Sequence, residues 1–150
     1  MDLAAALWGG IIGAIMAATV YAGFLGLQLT RFDLLRFEGG MLQRERTSMV
    51  YIYGAVVQLV LGALLALGYR LVFQQLDNAT FVGWGALLGL AQGVLALLLL
   101  PLFGAVNRNV RAGDEQPPGL GGRAYGGLTP LALLTASVVF GTWVGIVLLP

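Results

Sequence analysis

The 150 residues are 59% hydrophobic and 10% charged, whereas a soluble domain carries about a quarter charged side chains; a chain this short cannot hide so much apolar surface, so the bilayer is its solvent. Eight basic and seven acidic residues leave a formal charge of +1, which predicts neither nucleic-acid binding nor a strongly acidic partner. With no Cys and no His, the chain can hold no disulfide, thiolate metal site, iron–sulfur cluster or His-ligated haem, and no Ser–His or Cys–His nucleophile pair.

The first apolar run, about residues 3–29, follows Met1-Asp2 with no basic region before it, and it is too long for the core of a signal peptide. It is therefore expected to stay in the mature protein as a span. Runs at about 49–69, 79–106 and 128–149 complete a set of four, each long enough to cross a bilayer and each free of charge. Lumen-facing polar alternation is missing, so these are helices and not strands. The expected fold is an all-α membrane protein, one domain over residues 1–150, with four transmembrane helices in a bundle.

The connection 30–48 holds Arg31, Arg36, Arg44 and Arg46; the connection 107–127 holds Arg108, Arg111 and Arg123; the opposite side holds Arg70 alone. By the positive-inside rule both long loops face the cytoplasm and both termini face out. Trp8, Trp84 and Trp143 then fall toward the outer side as an interfacial belt. All the basic residues are Arg and none is Lys, which hints at a GC-rich bacterial genome; the expected location is the bacterial inner membrane. Asn78-Ala79-Thr80 matches a glycosylation acceptor, but it abuts the membrane and is read as chance.

In the first loop, Thr30 and Asp33 stand at capping spacing and Gly39-Gly40 can stop a helix, so a short interfacial helix is expected, with Phe32, Leu35 and Phe37 among its charges. The second loop is rich in Gly and Pro and expected to be irregular, either disordered or held against another surface. Gly119, Gly121 and Ala124 fit a loose nucleotide fingerprint, but no strand precedes them, so that reading is rejected.

Trp8-Gly-Gly-Ile-Ile-Gly13 and Trp84-Gly-Ala-Leu-Leu-Gly89 open the first and third spans; Gln58-Leu-Val-Leu-Gly62 and Ser137-Val-Val-Phe-Gly141 lie within the second and fourth. Two readings stand: two repeated helical hairpins, or the general likeness of Gly-rich apolar helices.

Gln58, Gln92 and Ser137 sit near the middle of their spans and Thr19 slightly past the middle of its own. A polar group without a partner in hydrocarbon costs several kcal/mol, so these four are expected to face one another or something bound. Stripes recur every four positions: Gly54, Gln58, Gly62 and Ala66 in the second span, Gly85, Gly89 and Gly93 in the third, Ser137, Gly141 and Gly145 in the fourth. Such stripes let helix backbones approach closely. The favoured reading makes the midplane polar groups interhelical hydrogen-bond glue. The alternative is a polar floor for a quinone, a pigment or a small solute. Intramembrane chemistry usually needs an ionisable group, and the spans have none.

Gly39-Gly40-Met41-Leu42, Leu100-Pro-Leu-Phe-Gly104, the stretch Arg123–Leu134 and the paired hairpins resemble a family of small four-span bacterial membrane proteins of unknown function. The likeness covers most of the chain. Members often carry His where this sequence has Gln58, Gln92 and Ser137, so the chain departs at the positions best suited to a metal or cofactor, and the resemblance implies no activity.

The expected role is a non-catalytic accessory or structural subunit of a larger membrane complex, respiratory or photosynthetic, with lipid and other integral membrane subunits as partners and a lipid, quinone or pigment at most at its surface. No cofactor, metal or catalytic residue is assigned. The competing role is a small oligomeric transporter or channel for a neutral or lipophilic solute.

Overall fold

The computed structural model describes residues 2–44, 48–76 and 81–149. Its elements are α1 (Leu3–Gly26), α2 (Leu34–Leu42), α3 (Met49–Phe73), α4 (Phe81–Val106), the four-residue α5 (Arg108–Arg111), a 3-10 turn (Leu120–Tyr125) and α6 (Thr129–Val147). The described residues contain no strand. Helices α1, α3, α4 and α6 are long and apolar enough to cross a membrane, so this is an all-α, multi-pass membrane bundle. Arg46, the Asn78-Ala79-Thr80 acceptor and the expected start of the third span at Ala79 lie outside the described residues.

The ends of the spans have local causes. Asp2 accepts from the Ala4 amide at 3.0 Å and caps α1. The first helix stops three residues before Leu29, because Gln28 takes a left-handed φ of 58° and the Leu29 amide turns back to the Phe24 carbonyl. The second continues to Phe73, with Arg70 in its last turn, where a cation favours the helix terminus. Pro130 stands in the first turn of α6, where its missing N–H costs nothing.

Helix α1 packs on α3 and on α6, and α6 packs in turn on α4. Helices α3 and α4 touch little; at the end away from the Arg-rich loops Phe73 stacks on Phe81, centroids 4.8 Å apart and planes 5° apart. A duplicated hairpin would make α1–α6 and α3–α4 equivalent, yet only the first is extensive. Helix α2 accounts for part of the inequality. It lies along α3 at the Arg-rich end and reaches across to α5.

The interior has three layers of different character. At the Arg-rich end Phe32 packs with Tyr21, Phe37 and Tyr125. At the other end Tyr69 meets Phe73 and Phe140 edge-on. From midspan to that far end glycine and alanine bring backbones together. A Cβ on Gly62 would lie 2.7 Å from the Gly10 carbonyl oxygen, and one on Gly85, Gly89 or Gly145 would lie 2.2, 2.3 or 2.4 Å from the carbonyl oxygen of Gly141, Ser137 or Phe81. The Cβ of any other residue would collide there, which is why glycine recurs at that spacing.

Candidate functional site

The Arg-rich end is a folded cap. Asp33 accepts from the Arg36 amide at 3.1 Å and is the N-cap of α2; its other carboxylate oxygen accepts from the Tyr51 hydroxyl at 2.9 Å. This corrects the expected capping at Thr30, which is buried 2.7 Å from the Thr129 hydroxyl and serves instead to tie the first loop to the start of α6. Nor do Gly39 and Gly40 stop the helix, which runs on to Leu42. They are contact points: a Cβ on Gly39 would lie 2.0 Å from the Val50 carbonyl oxygen, and one on Gly40 would meet the Asn107 and Asn109 side chains at 2.8 Å.

The 107–127 loop is packed onto this helix. Asn107 is 0% exposed; its Nδ2 donates to the Phe37 carbonyl at 2.7 Å, while its Oδ1 accepts from the amides of Asn109 and Val110 and starts α5. Arg36 pairs with Glu115 and Arg44 with Asp114, at 2.5 and 2.7 Å. Burial raises the proton affinity of Glu115, and the Arg36 guanidinium opposes that rise. Gly121 and Gly122 have φ of 66° and 70°, a conformation open to glycine, and Gly122 sits against Thr129 and Leu100.

Helix α2 carries an ionisable group into the bundle. Glu38 is 8% exposed. Gly54, whose Cβ would lie 1.8 Å from the Leu35 carbonyl oxygen, lets α2 settle directly on α3. Gln58, one turn beyond Gly54, then has one end of its amide 2.7 and 3.0 Å from the two Glu38 carboxyl oxygens, and the other end 3.4 Å from the Ala14 carbonyl oxygen of α1. With Glu38 ionised, the nitrogen must be the end that faces it, because an amide oxygen there would oppose acceptor to acceptor. Burial pushes the Glu38 carboxyl up to about 8.

The four midplane groups do not form one cluster. Gln92 accepts from the Tyr69 hydroxyl at 2.9 Å, which joins α4 to α3. Ser137 lies on the α4–α6 seam, where a Cβ on Gly93 would be 3.0 Å from its Cβ; among the described residues its hydroxyl makes no hydrogen bond to Gln58 or Gln92. Thr19 is exposed on α1 and donates to the Ile15 carbonyl of its own helix at 2.8 Å. A hydroxyl can satisfy itself in this way, so its position in a span required no partner across a seam. The tryptophans divide too. Trp8 and Trp84 are exposed, whereas Trp143 turns inward, 3.2 Å from where a Cβ on Gly13 would stand.

Sequence reasoning missed Glu38 and Tyr69. Glu38 belongs to a charged connection and looks solvated until α2 is laid against Gly54. Tyr69 stands near a helix end, and only its length brings the hydroxyl inward to Gln92. The one available signal was Gln58 at four residues from Gly54: an amide on a close-packed face needs a partner from whichever element fills that face.

Two cavities flank the cap. One of about 220 Å³ lies among Arg31, Arg36, Asp114, Glu115 and Tyr125; the other, about 200 Å³, lies between α1 and α2 beside Tyr21, Leu34 and Tyr51. Both fall below the roughly 300–1,000 Å³ of ordinary small-molecule sites. Among the described residues no three His, Cys, Asp or Glu side chains gather as a metal site. No family model, curated protein or solved structure matches the chain.

Proposed function

We propose that the chain is a non-catalytic subunit of a larger bacterial inner-membrane assembly, with the Arg-rich cap in the cytoplasm as its docking face. The observation that carries the reading is the construction of the cap. Two long loops that could have been loose are pinned by two ion pairs and a fully buried Asn107 into one surface of fixed shape. A preformed surface loses less entropy on binding than a floppy one, and that favours recognition by a partner. The absence of a nucleophile–base pair in the spans agrees with a role other than catalysis.

Purification from the native membrane in mild detergent tests this. A second integral membrane polypeptide should accompany the chain at fixed stoichiometry. A self-contained homo-oligomer would instead favour a transporter or channel, a reading supported by the buried Glu38 beside Gln58, since ionisable groups inside bundles often mark a path for ions. The orientation is tested separately. Cysteines replacing Arg44 and Gln116 should be shielded from an impermeant thiol reagent in intact cells, and one replacing Asn78 should be labelled; the reverse pattern would turn the cap outward.

A further inference from the structure

We propose that Glu38 and Gln58 form a proton-binding site, in which the Glu38 carboxyl takes up and releases one proton and the Gln58 amide turns over with it. The proposal holds whether the chain is a subunit or a transporter, because it rests on the junction of α1, α2 and α3 alone.

The amide of Gln58 is held between an acid and a backbone carbonyl. Its two ends exchange places by rotation about the last side-chain bond, with the backbone fixed. When Glu38 is neutral, its O–H donates to Gln58 Oε1, and Gln58 Nε2 donates to the Ala14 carbonyl at 3.4 Å. The acid O–H, the amide oxygen and the amide nitrogen then each have a partner. When Glu38 is ionised, Nε2 turns to donate to both carboxylate oxygens, at 2.7 and 3.0 Å, and Oε1 is left facing the Ala14 carbonyl oxygen. The two protonation states thus select opposite amide orientations. The step is a simple association: a carboxylate and a proton from the water give the acid, and no other covalent bond changes.

Among the described residues no charge contributes to the shift at the site. On α2 itself, Arg36 is paired with Glu115 and Asp33 is bound by the Tyr51 hydroxyl. The other titratable side chains on the neighbouring elements are Tyr21 on α1, Tyr53, Tyr69 and Arg70 on α3, and Arg108 and Arg111 on α5. Burial is the whole cause of the raised proton affinity of Glu38; none of these groups adds to it. Desolvation raises the proton affinity of Glu38, and the Gln58 amide, by donating to the carboxylate, opposes that rise, so the carboxyl exchanges its proton near neutral pH.

Infrared difference spectroscopy of the full chain in lipid nanodiscs, with carbon-13 in the glutamate carboxyls, reads the site directly. The carbonyl stretch of a protonated Glu should disappear with a midpoint near the value of about 8 that burial gives Glu38. The band should be absent in Glu38→Gln and retained in Glu115→Gln. A Gln side-chain band should shift with the same midpoint and vanish in Gln58→Leu. Because a hydrogen bond to an ionised group is stronger than one to its neutral form, Gln58→Leu should hold the proton about tenfold more tightly. Titration of Glu38 in the ordinary carboxylate range, or a midpoint that Gln58→Leu leaves unmoved, would overturn the proposal. The Gln58→Leu titration decides the matter by itself if Glu38→Gln does not fold.

Discussion

Along α4 and α6, four glycines meet backbone: Gly85 and Gly141 lie against each other's carbonyls, Gly89 against that of Ser137, and Gly145 against that of Phe81, while Gly93 meets the Ser137 and Leu134 side chains. Along α2 and α3 glycine also meets backbone, at Gly54 with Leu35 and at Gly39 with Val50. There the resemblance ends. The first seam is closed by contact alone and lies between two spans. The second brings a loop helix against a span and buries Glu38 with an amide as its partner. Glycine sets the distance between helices in both. What is then held at that distance differs, and only the second seam buries a titratable side chain among the described residues.

The largest effect that separates the seams should come from Gly89→Leu. Even a Cβ would stand 2.3 Å from the Ser137 carbonyl oxygen, and that oxygen belongs to backbone that cannot swing aside. Overpacking of this kind costs about 1–3 kcal/mol and sometimes more, so the melting temperature in detergent should fall sharply or folding should fail. Gly68→Ala, with nothing within 4 Å, should be neutral or slightly stabilising. Equal losses in the two variants would mean that the α4–α6 seam does not depend on glycine.

The second test uses pH. The folded-state proton affinity of Glu38 lies above that of an ordinary carboxyl, so its contribution to stability is fully present below the ordinary value of 4.5 and is lost as pH rises to about 8. At about 1.4 kcal/mol per pKa unit the whole effect is on the order of a few kcal/mol. Melting curves from pH 5 to 9 should decline for the parent chain and flatten for Glu38→Gln, while Gly68→Ala retains the parent slope. A Glu38→Gln protein with the full parent slope would assign the pH response to another group.

A smaller effect is expected at the edge of the second seam. Asn107→Ala removes the donor to the Phe37 carbonyl and the cap of α5 together, and should cost about 1–3 kcal/mol. Limited proteolysis after Arg36 and Arg44 should quicken, since α2 loses its tie to the second loop; unchanged cleavage would mean that the ion pairs suffice. Smallest of all should be Gln92→Leu, which removes one bond to Tyr69 and should lower stability by about 1 kcal/mol. Tyr69→Phe should behave alike, and the double variant should lose no more than either alone if the bond is the shared cause.

The first seam was legible in the sequence because it depends on a period: small residues every four positions in uninterrupted apolar runs. The four spans were legible from the length of their charge-free apolar runs, and α2 from its capping residues, although its cap is Asp33 and not Thr30 and Gly39 and Gly40 do not end it. The second seam was not legible. Whether Glu38 is wet or dry depends on which face of a nine-residue helix meets α3, and a charged loop offers no period from which to read that. Thr19 misled in the opposite way: placed by depth with Gln58 and Gln92, it bonds to its own helix and needs no neighbour. Gln92 itself found a partner on an adjacent helix, but the partner came from the end of α3, beyond the stretch where midspan polar residues were sought.

The bond between Asn107 and the Phe37 carbonyl joins groups 70 residues apart, and the Thr30–Thr129 bond joins groups 99 apart. A ribosome delivers the chain from its N-terminus, so α2 is made well before the groups that fasten it. Until the third span has entered the membrane and Asn107 has emerged, the loop helix lacks its lock. The cap therefore closes late, when most of the bundle is already in place, and its closure is the step at which an unfinished chain becomes distinguishable from a finished one.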